Sequence, residues 1–314
     1  MVHLRIVAPP AQAHAALDLL EASASVINVI HLHGVARKPD GDAILCDVAH
    51  EDASVVIADL KDLGIHRDGT ISVEMVDTAI SHAADEAERH AVGAVADAVI
   101  WEEVTERTSE ESAISGTYLV FIVLAGLIAS VGIYLNSPIL IVGAMVVGPE
   151  FGPIAGVCVA AVDRRPDLAL RSLAALLVGF PLTIGVVVVS SLLFKATSIT
   201  PETFTAASHS LSETIASPDF FAAFVAFCAG VAGMLSLTTA KSGALVGVLI
   251  SVTTIPAAAN VGVAAAYGDW ESFGGSLEQL GLNIAFLLVA GILTLGVQRA
   301  IFSRRRAAHA RPAA

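Results

Sequence analysis

The chain has 314 residues, 55% of them hydrophobic and 15% charged, with a mean hydropathy of +0.75. That is too apolar for an ordinary water-soluble domain and points to a polytopic membrane protein. The formal charge of −13 is unevenly spread: residues 1–111 carry seven Lys/Arg against 21 Asp/Glu, and residues 112–314 carry ten against nine. An acidic soluble segment ahead of a nearly neutral membrane segment excludes binding to nucleic acid or anionic lipid, both of which need basic patches. Cys46, Cys158 and Cys228 form no C-x-x-C pair, so zinc-finger and disulfide frameworks are excluded and the three read as small buried hydrophobes. Arg5 is not followed by a sustained apolar stretch, so no cleavable signal peptide is expected and the first segment is expected in the cytoplasm.

The first 78 residues alternate short strand and helix signals. In "HLRIVA" Leu4 and Ile6 share one face, as a half-buried strand requires. Residues 11–23 repeat at helical spacing through Ala13, Ala16, Leu17 and Leu20. "SVINVIHLHGV" is β-branched and strand-like, and "KPDGD" turns the chain into the strand "AILCDVAH". Val55, Val56, Asp59, Leu60 and Leu63 mark a second helix ended by Gly64, and "TISVEMV" closes the set. The order β-α-β-β-α-β predicts a ferredoxin-like α+β cytoplasmic domain over residues 1–78. His31 and His33 share a strand face, but a metal ion needs a third donor and spacing identifies none. The expectation there is an exposed face without metal. Residues 79–111 form a connector. Its stripe of Ile80, Ala84, Ala87, Ala91, Val95 and Val99 predicts one amphipathic helix over 79–107, and "TSEE" at 108–111 predicts a capping box opening the next helix.

From Ser112 the charge-free runs reach the roughly 20 residues a membrane helix needs. Six spans are expected, near 113–135, 138–162, 170–194, 219–238, 243–267 and 278–299, making an all-α transmembrane domain over 112–302 with a basic tail at 303–314. In that arrangement Arg164, Arg165, Arg171, Lys241, Arg299, Arg304, Arg305 and Arg306 fall on one side and only Lys195 near the other. The positive-inside rule then places both termini in the cytoplasm.

A shift of 104 residues brings the membrane part into register with itself. Ala125-Gly126 falls on Ala229-Gly230, Val142-Gly143 on Val246-Gly247, and Val159-Ala160 on Val263-Ala264. Three-span halves, about 113–194 and 219–299, would be inverted repeats, and interrupted helices at matching positions of such repeats point to a transporter's site. Span 2 carries "VVGPEFGPIAG" and span 5 carries "SVTTIPAAAN". Pro149 and Pro153 lack amide donors, so the carbonyls they free must find partners away from lipid. Spans 2 and 5 are therefore both expected to be broken or kinked, and to face each other. The alternative is two kinked helices packed for shape alone, with Ser/Thr hydroxyls satisfying the freed carbonyls.

"ILIVGAMVVGPEFGPIAG" followed by "SLTTAKSGALVGVLISVTTIP" resembles the bacterial "uncharacterized hydrophobic protein" group, domain of unknown function 389. The resemblance covers most of the chain from about Ser112 to Phe302. It implies an integral membrane protein and supplies no catalytic residues; the expected location is the bacterial inner membrane. The chain departs from the family pattern at Glu150, where an apolar residue is usual.

Glu150 is the one acidic residue in the interior of an expected span. A carboxylate there marks a functional site by default, the alternative being a shallow cytoplasmic vestibule. The expected solute or ion site comprises Glu150, Pro149, Gly152, Pro153, Ser251, Thr253, Thr254, Pro256 and Asn260. Two short polar connections, Asn136-Ser137 and Thr238, Thr239, Lys241, Ser242, are candidate gates, with Lys241 otherwise a positive-inside anchor. No nucleotide-binding, metalloprotease or serine-hydrolase motif occurs, so neither an enzyme nor a cofactor is expected. The expected partners are the lipid bilayer, an unidentified small solute or ion, and further copies of the chain, a trimer being favoured over a dimer. The competing expectation is a membrane-anchored sensor or scaffold without transport.

Overall fold

The computed structural model describes residues 1–76, 79, 81–91, 99–200, 209–239 and 244–309, with side chains described throughout except at 244–253, 305 and 307–309. The chain divides into two compact units, Met1–Glu102 and Glu103–Ala314.

Unit 1 runs β1 (Val2–Ala8), α1 (Pro10–Ala22), β2 (Val26–Arg37), β3 (Asp40–Val48), α2 (Ala53–Asp62), α3 (Ile65–Asp68) and β4 (Thr70–Met75). The four strands form one antiparallel sheet in the order β2-β3-β1-β4. Each helical crossover therefore skips one strand, from β1 over β3 to β2 and from β3 over β1 to β4. The period-2 alternation of β1 buries Val2, Leu4 and Ile6, whose register partners Val48, Cys46 and Ile44 are also buried. Ala13, Ala16 and Leu20 of α1, with Val56, Ile57 and Leu60 of α2, close over the same core. Gly64 stops α2 as expected, taking the left-handed φ of 81° that a residue with a β-carbon resists. Burial raises the Cys46 thiol to about 12, leaving it an inert hydrophobe.

The connector is not one helix. α4 (His82–His90) is capped by the Ser81 hydroxyl, and at Ala91 the backbone turns extended, with ψ of 138°. Among the described residues the next helix is α5 (Trp101–Glu111). Ile80 and Val95 of the expected stripe lie outside the described residues. Thr108 does not cap the next helix either: it sits inside α5, its hydroxyl donating to the Val104 carbonyl at 2.7 Å. The cap is Ser115, whose Oγ accepts from the Tyr118 amide and opens α6 (Gly116–Tyr134).

Unit 2 continues with α7 (Pro138–Val147), α8 (Phe151–Asp163), α9 (Pro166–Ala196), α10 (Ser210–Ile215), α11 (Phe220–Thr238), α12 (Ala244–Tyr267) and α13 (Trp270–His309). Among the described residues, four helices are long and apolar enough to cross a membrane, and α7 with α8 makes a fifth if that pair, bent by 54°, is one span. The remaining expected span, span 5, falls on α12, whose first ten side chains lie outside the described residues. The burial pattern inverts that of a water-soluble protein. Phe121 and Leu124 of α6, Leu177 of α9, Phe221 of α11 and Leu293 of α13 are exposed, while Ser130, Ser172, Thr183, Asn260, Ser276 and Asn283 are buried. Such a surface suits a hydrocarbon solvent, because lipid rewards an apolar exterior and cannot satisfy polar groups. This is the character of a membrane protein. Cys158 is buried as expected, whereas Cys228 is exposed on α11.

Close contacts inside unit 2 recur at a fixed offset. Gly126 of α6 lies against Thr183 and Val187 of α9, and Gly230 of α11 lies against Leu287 and Ala290 of α13. Gly291 of α13 lies against Cys158 of α8, whose thiol reaches the Leu288 carbonyl, and Gly262 of α12 lies against Val187 and the Ile184 carbonyl of α9. Gly126 and Gly230, Thr183 and Leu287, Cys158 and Gly262, Ile184 and Leu288, Val187 and Gly291 are each 104 positions apart, the separation of the hydrogen-bonded pair Glu150 and Thr254.

Candidate functional site

The break between α7 and α8 follows from four residues. Proline disfavours helical backbone in the residue before it, and Gly148 accordingly takes φ −64° and ψ 125°, ending α7 at Val147. Glu150 returns to helical dihedrals as the N-cap of α8, and its carbonyl accepts the Ile154 amide at 3.1 Å. Pro153 then falls in the first turn of α8, where no amide hydrogen bond is owed, so it starts this helix rather than breaking it. The glycines are packing residues. A β-carbon on Gly152 would meet the Glu111 carbonyl at 2.7 Å, and one on Gly148 would collide with the Glu150 carboxylate and meet Ile255 Cγ1 at 3.0 Å.

Glu150 is completely buried, 0% exposed. The Thr254 hydroxyl of α12 donates to its Oε1 at 2.8 Å. The expected approach of Gly148–Pro153 to the Pro256 region therefore occurs, through Glu150, Thr254 and Ile255. Glu150 stands between the C-terminus of α7 and the N-terminus of α8, where backbone carbonyls and amides lack intrahelical partners. This arrangement can hold a proton or a small cation, because a carboxylate and a hydroxyl offer hard oxygen donors.

Helix α12 differs from expectation. It is continuous from Ala244 to Tyr267 with Pro256 inside it, so span 5 is kinked at most and not broken. A proline in mid-helix removes one amide, and neighbouring helices can hold such a helix together. Ile255, Ala257, Ala258 and Ala259 are buried in the core of unit 2 and supply that support.

The remaining expected residues separate. Asn260 lies six residues beyond Thr254, about 9 Å along the helix. Its Oδ1 accepts from the Ser212 hydroxyl at 2.8 Å, and its Nδ2 donates to Ser276 Oγ at 2.8 Å and the Ser212 carbonyl at 3.2 Å. The amide is thus engaged in tying α12 to α10 and α13. Ser251 and Thr253 have side chains outside the described residues, as do Lys241 and Ser242 entirely. Asn136 takes the left-handed φ of 47°, and its Oδ1 accepts the Leu211 amide at 3.1 Å. Ser137 N-caps α7 without a side-chain bond. Thr238 accepts from Gln298 Nε2 at 2.8 Å, and the Thr239 hydroxyl donates to the Leu235 carbonyl at 2.8 Å. Ser212, Ser276 and Gln298 carry no sequence signal, because their partners come from distant helices.

In unit 1 the structure supplies what spacing could not. Asp42 of β3 lies beside both histidines of β2, with its Oδ2 2.8 Å from His31 Nε2 and 3.1 Å from His33 Nδ1. The Gly34 amide donates to Asp42 Oδ1 at 2.8 Å. His31 first, then the Gly34 amide, hold the Asp42 carboxyl down at about 2. A separate groove of about 360 Å³ lies among α2, α3 and β4, bordered by Ile57, His66, Ile71 and the Lys61–Glu102 ion pair at 3.2 Å.

Residues 145–289 match the model of the family described as "Domain of unknown function (DUF389)", as the paired motifs led one to expect. An uncharacterized protein of Methanocaldococcus jannaschii is 24% identical over 203 residues, which cover 62% of this chain and 58% of that relative. The chain thus aligns with a little over half of that relative's length. No solved structure matches the chain.

Proposed function

We propose that unit 2 is a six-span transporter or channel for a small cation or a proton, with its site where Glu150 meets Thr254. The observation that carries this reading is the fully buried carboxylate at a helix break, bonded to the facing helix. A carboxylate at the centre of a membrane helix costs roughly 2.5–3.5 kcal/mol, so a protein retains it where it has work to do. The ends of α7 and α8 add backbone donors and acceptors at the same point, as in discontinuous transporter helices.

The recurring contacts support two inverted three-helix halves. The offset carries the α8–α13 contact, Cys158 on Gly291, into the α12–α9 contact, Gly262 on Val187. A two-fold rotation exchanging the halves requires that swap. It also requires positions near its axis to touch their own equivalents, as Glu150 and Thr254 do. Asp163 at the end of α8 pairs with Arg299 of α13 at 3.2 Å, and Lys195 at the end of α9 sits 5.0 Å from the Tyr267 ring at the end of α12. The Arg-rich loop after α8 and the Arg-rich end of α13 thus share one end, which the positive-inside rule assigns to the cytoplasm of a bacterial inner membrane. Unit 1, with ferredoxin-like strand order, would be a cytoplasmic sensing or oligomerising module. Its edge strand β2 exposes Ile30, Leu32 and Val35, a surface suited to another copy of the chain.

The test is flux of monovalent cations and protons in proteoliposomes. Wild-type protein should conduct or exchange at least one of them, and Glu150→Gln should abolish the flux or its pH dependence while leaving the protein folded. Absence of any flux in correctly inserted wild-type protein would overturn the reading and favour a membrane-anchored sensor.

A further inference from the structure

We propose that His31, His33 and Asp42 form a binding site for one divalent first-row transition-metal ion, zinc being the natural occupant. The three donors belong to neighbouring strands, and all their ligand atoms lie within 4.8 Å of one another. In a tetrahedral site with ligands at about 2.0–2.1 Å, ligand atoms stand roughly 3.3 Å apart. The Asp42 oxygen already lies 2.8 Å and 3.1 Å from the two imidazole nitrogens, so small rotations of the rings admit an ion.

The backbone prepares this geometry. Between Leu32 and Ala36 the register of β2 on β3 slips, so that residues 33–35 bulge opposite Asp42. Gly34 takes φ of 65° in that bulge, which turns its amide onto Asp42 Oδ1 and leaves Oδ2 facing both rings. The aspartate is 3% exposed and held from behind, a role that outer hydrogen bonds play in metal sites. The His33 side chain is 80% exposed, so water can complete the shell and an ion can enter. Two imidazoles and one carboxylate suit zinc, cobalt, nickel or copper and are poor ligands for calcium or magnesium. This site is independent of the proposed transport centre.

The experiment uses the full untagged chain in detergent, stripped with a chelator and titrated with Co²⁺, whose visible absorption reports tetrahedral ligation. One ion per chain should bind with a saturable spectrum, and Zn²⁺ should displace it. His33→Gln, at an exposed position that folding does not depend on, should weaken binding at least tenfold, as should His31→Gln. His14→Gln, an exposed histidine on α1, should bind as wild type. No saturable spectrum, or a spectrum unchanged in both His31→Gln and His33→Gln, would overturn the proposal and leave Asp42 as a hydrogen-bond acceptor between two histidines.

Discussion

The two units solve opposite solvation problems with the same rules. Unit 1 buries Leu4, Ile6, Ile44 and Leu60 and turns most of its histidines and carboxylates toward water, Asp42 and His50 being among those it buries. Unit 2 exposes Phe121, Leu177, Phe221 and Leu293 and buries serines, threonines, asparagines and one glutamate. Apolar burial holds the first together, since water expels hydrocarbon. In lipid that drive disappears, and close packing with internal hydrogen bonds takes over. A single kind of substitution should therefore have different effects in the two places.

The largest contrast is expected for truncation of large apolar side chains. Ile44→Ala removes a fully buried side chain from the sheet core and should cost about 2–5 kcal/mol of unit 1 stability. Leu177→Ala, on the exposed face of α9, should change stability by less than about 0.5 kcal/mol. Thermal unfolding in detergent, followed separately by sheet and helix signals, checks both. Equal losses would break the inside-out distinction.

The polar interior of unit 2 gives the next effect. Thr254→Val strips the hydroxyl from the buried Glu150 carboxylate and should cost about 1.5–3 kcal/mol. Glu150→Gln alone should cost less, since its amide oxygen still accepts, and the double variant should fall short of the sum, because the first change weakens the bond that the second removes. A double-mutant cycle on unfolding free energy reads this directly. Strict additivity would mean that the two groups do not interact.

The smallest effect is a pH dependence in unit 1. Burial, followed by the Met1 amino group, pushes His50 below the ordinary histidine range. Above pH of about 6.5 the ring is neutral in both folded and unfolded chains and has no effect. As pH falls below that value the unfolded chain takes up the proton first, so stability declines until the lower folded value is passed. His50→Gln should flatten that decline between about pH 7 and pH 5 in Tm measurements. An unchanged slope would place the titration elsewhere.

Helices α8 and α12 show where sequence reading reaches and where it stops. Both prolines and the carboxylate were legible, and so was the approach of the two motifs. That only one segment breaks was not. Gly148 ahead of Pro149 presents no side chain to be held in helix, while Ile255 ahead of Pro256 is locked into the core. Proline chemistry is the same in both, and the neighbours decide. The expected polar cavity likewise divides in two, since Asn260 bonds to Ser212 and Ser276. Those partners come from α10 and α13, and no local spacing announces them.

By itself the sequence determined the division into an acidic part and an apolar part, the strand and helix order of the first, and most helix positions of the second. Those features rest on periodicity and solvation, which act over a few residues and are written in composition. It overextended the connector, where the Ala/Val stripe continued although the backbone turned at Ala91. Tertiary structure alone decided which side chains meet: Thr254 with Glu150 across 104 residues, and Asp42 with His31 and His33 across a bulge. A hydrogen bond needs its two atoms about 3 Å apart in a fixed direction. That condition depends on how whole helices and strands pack, and a register slip of one or two residues in β2 is enough to create or destroy it.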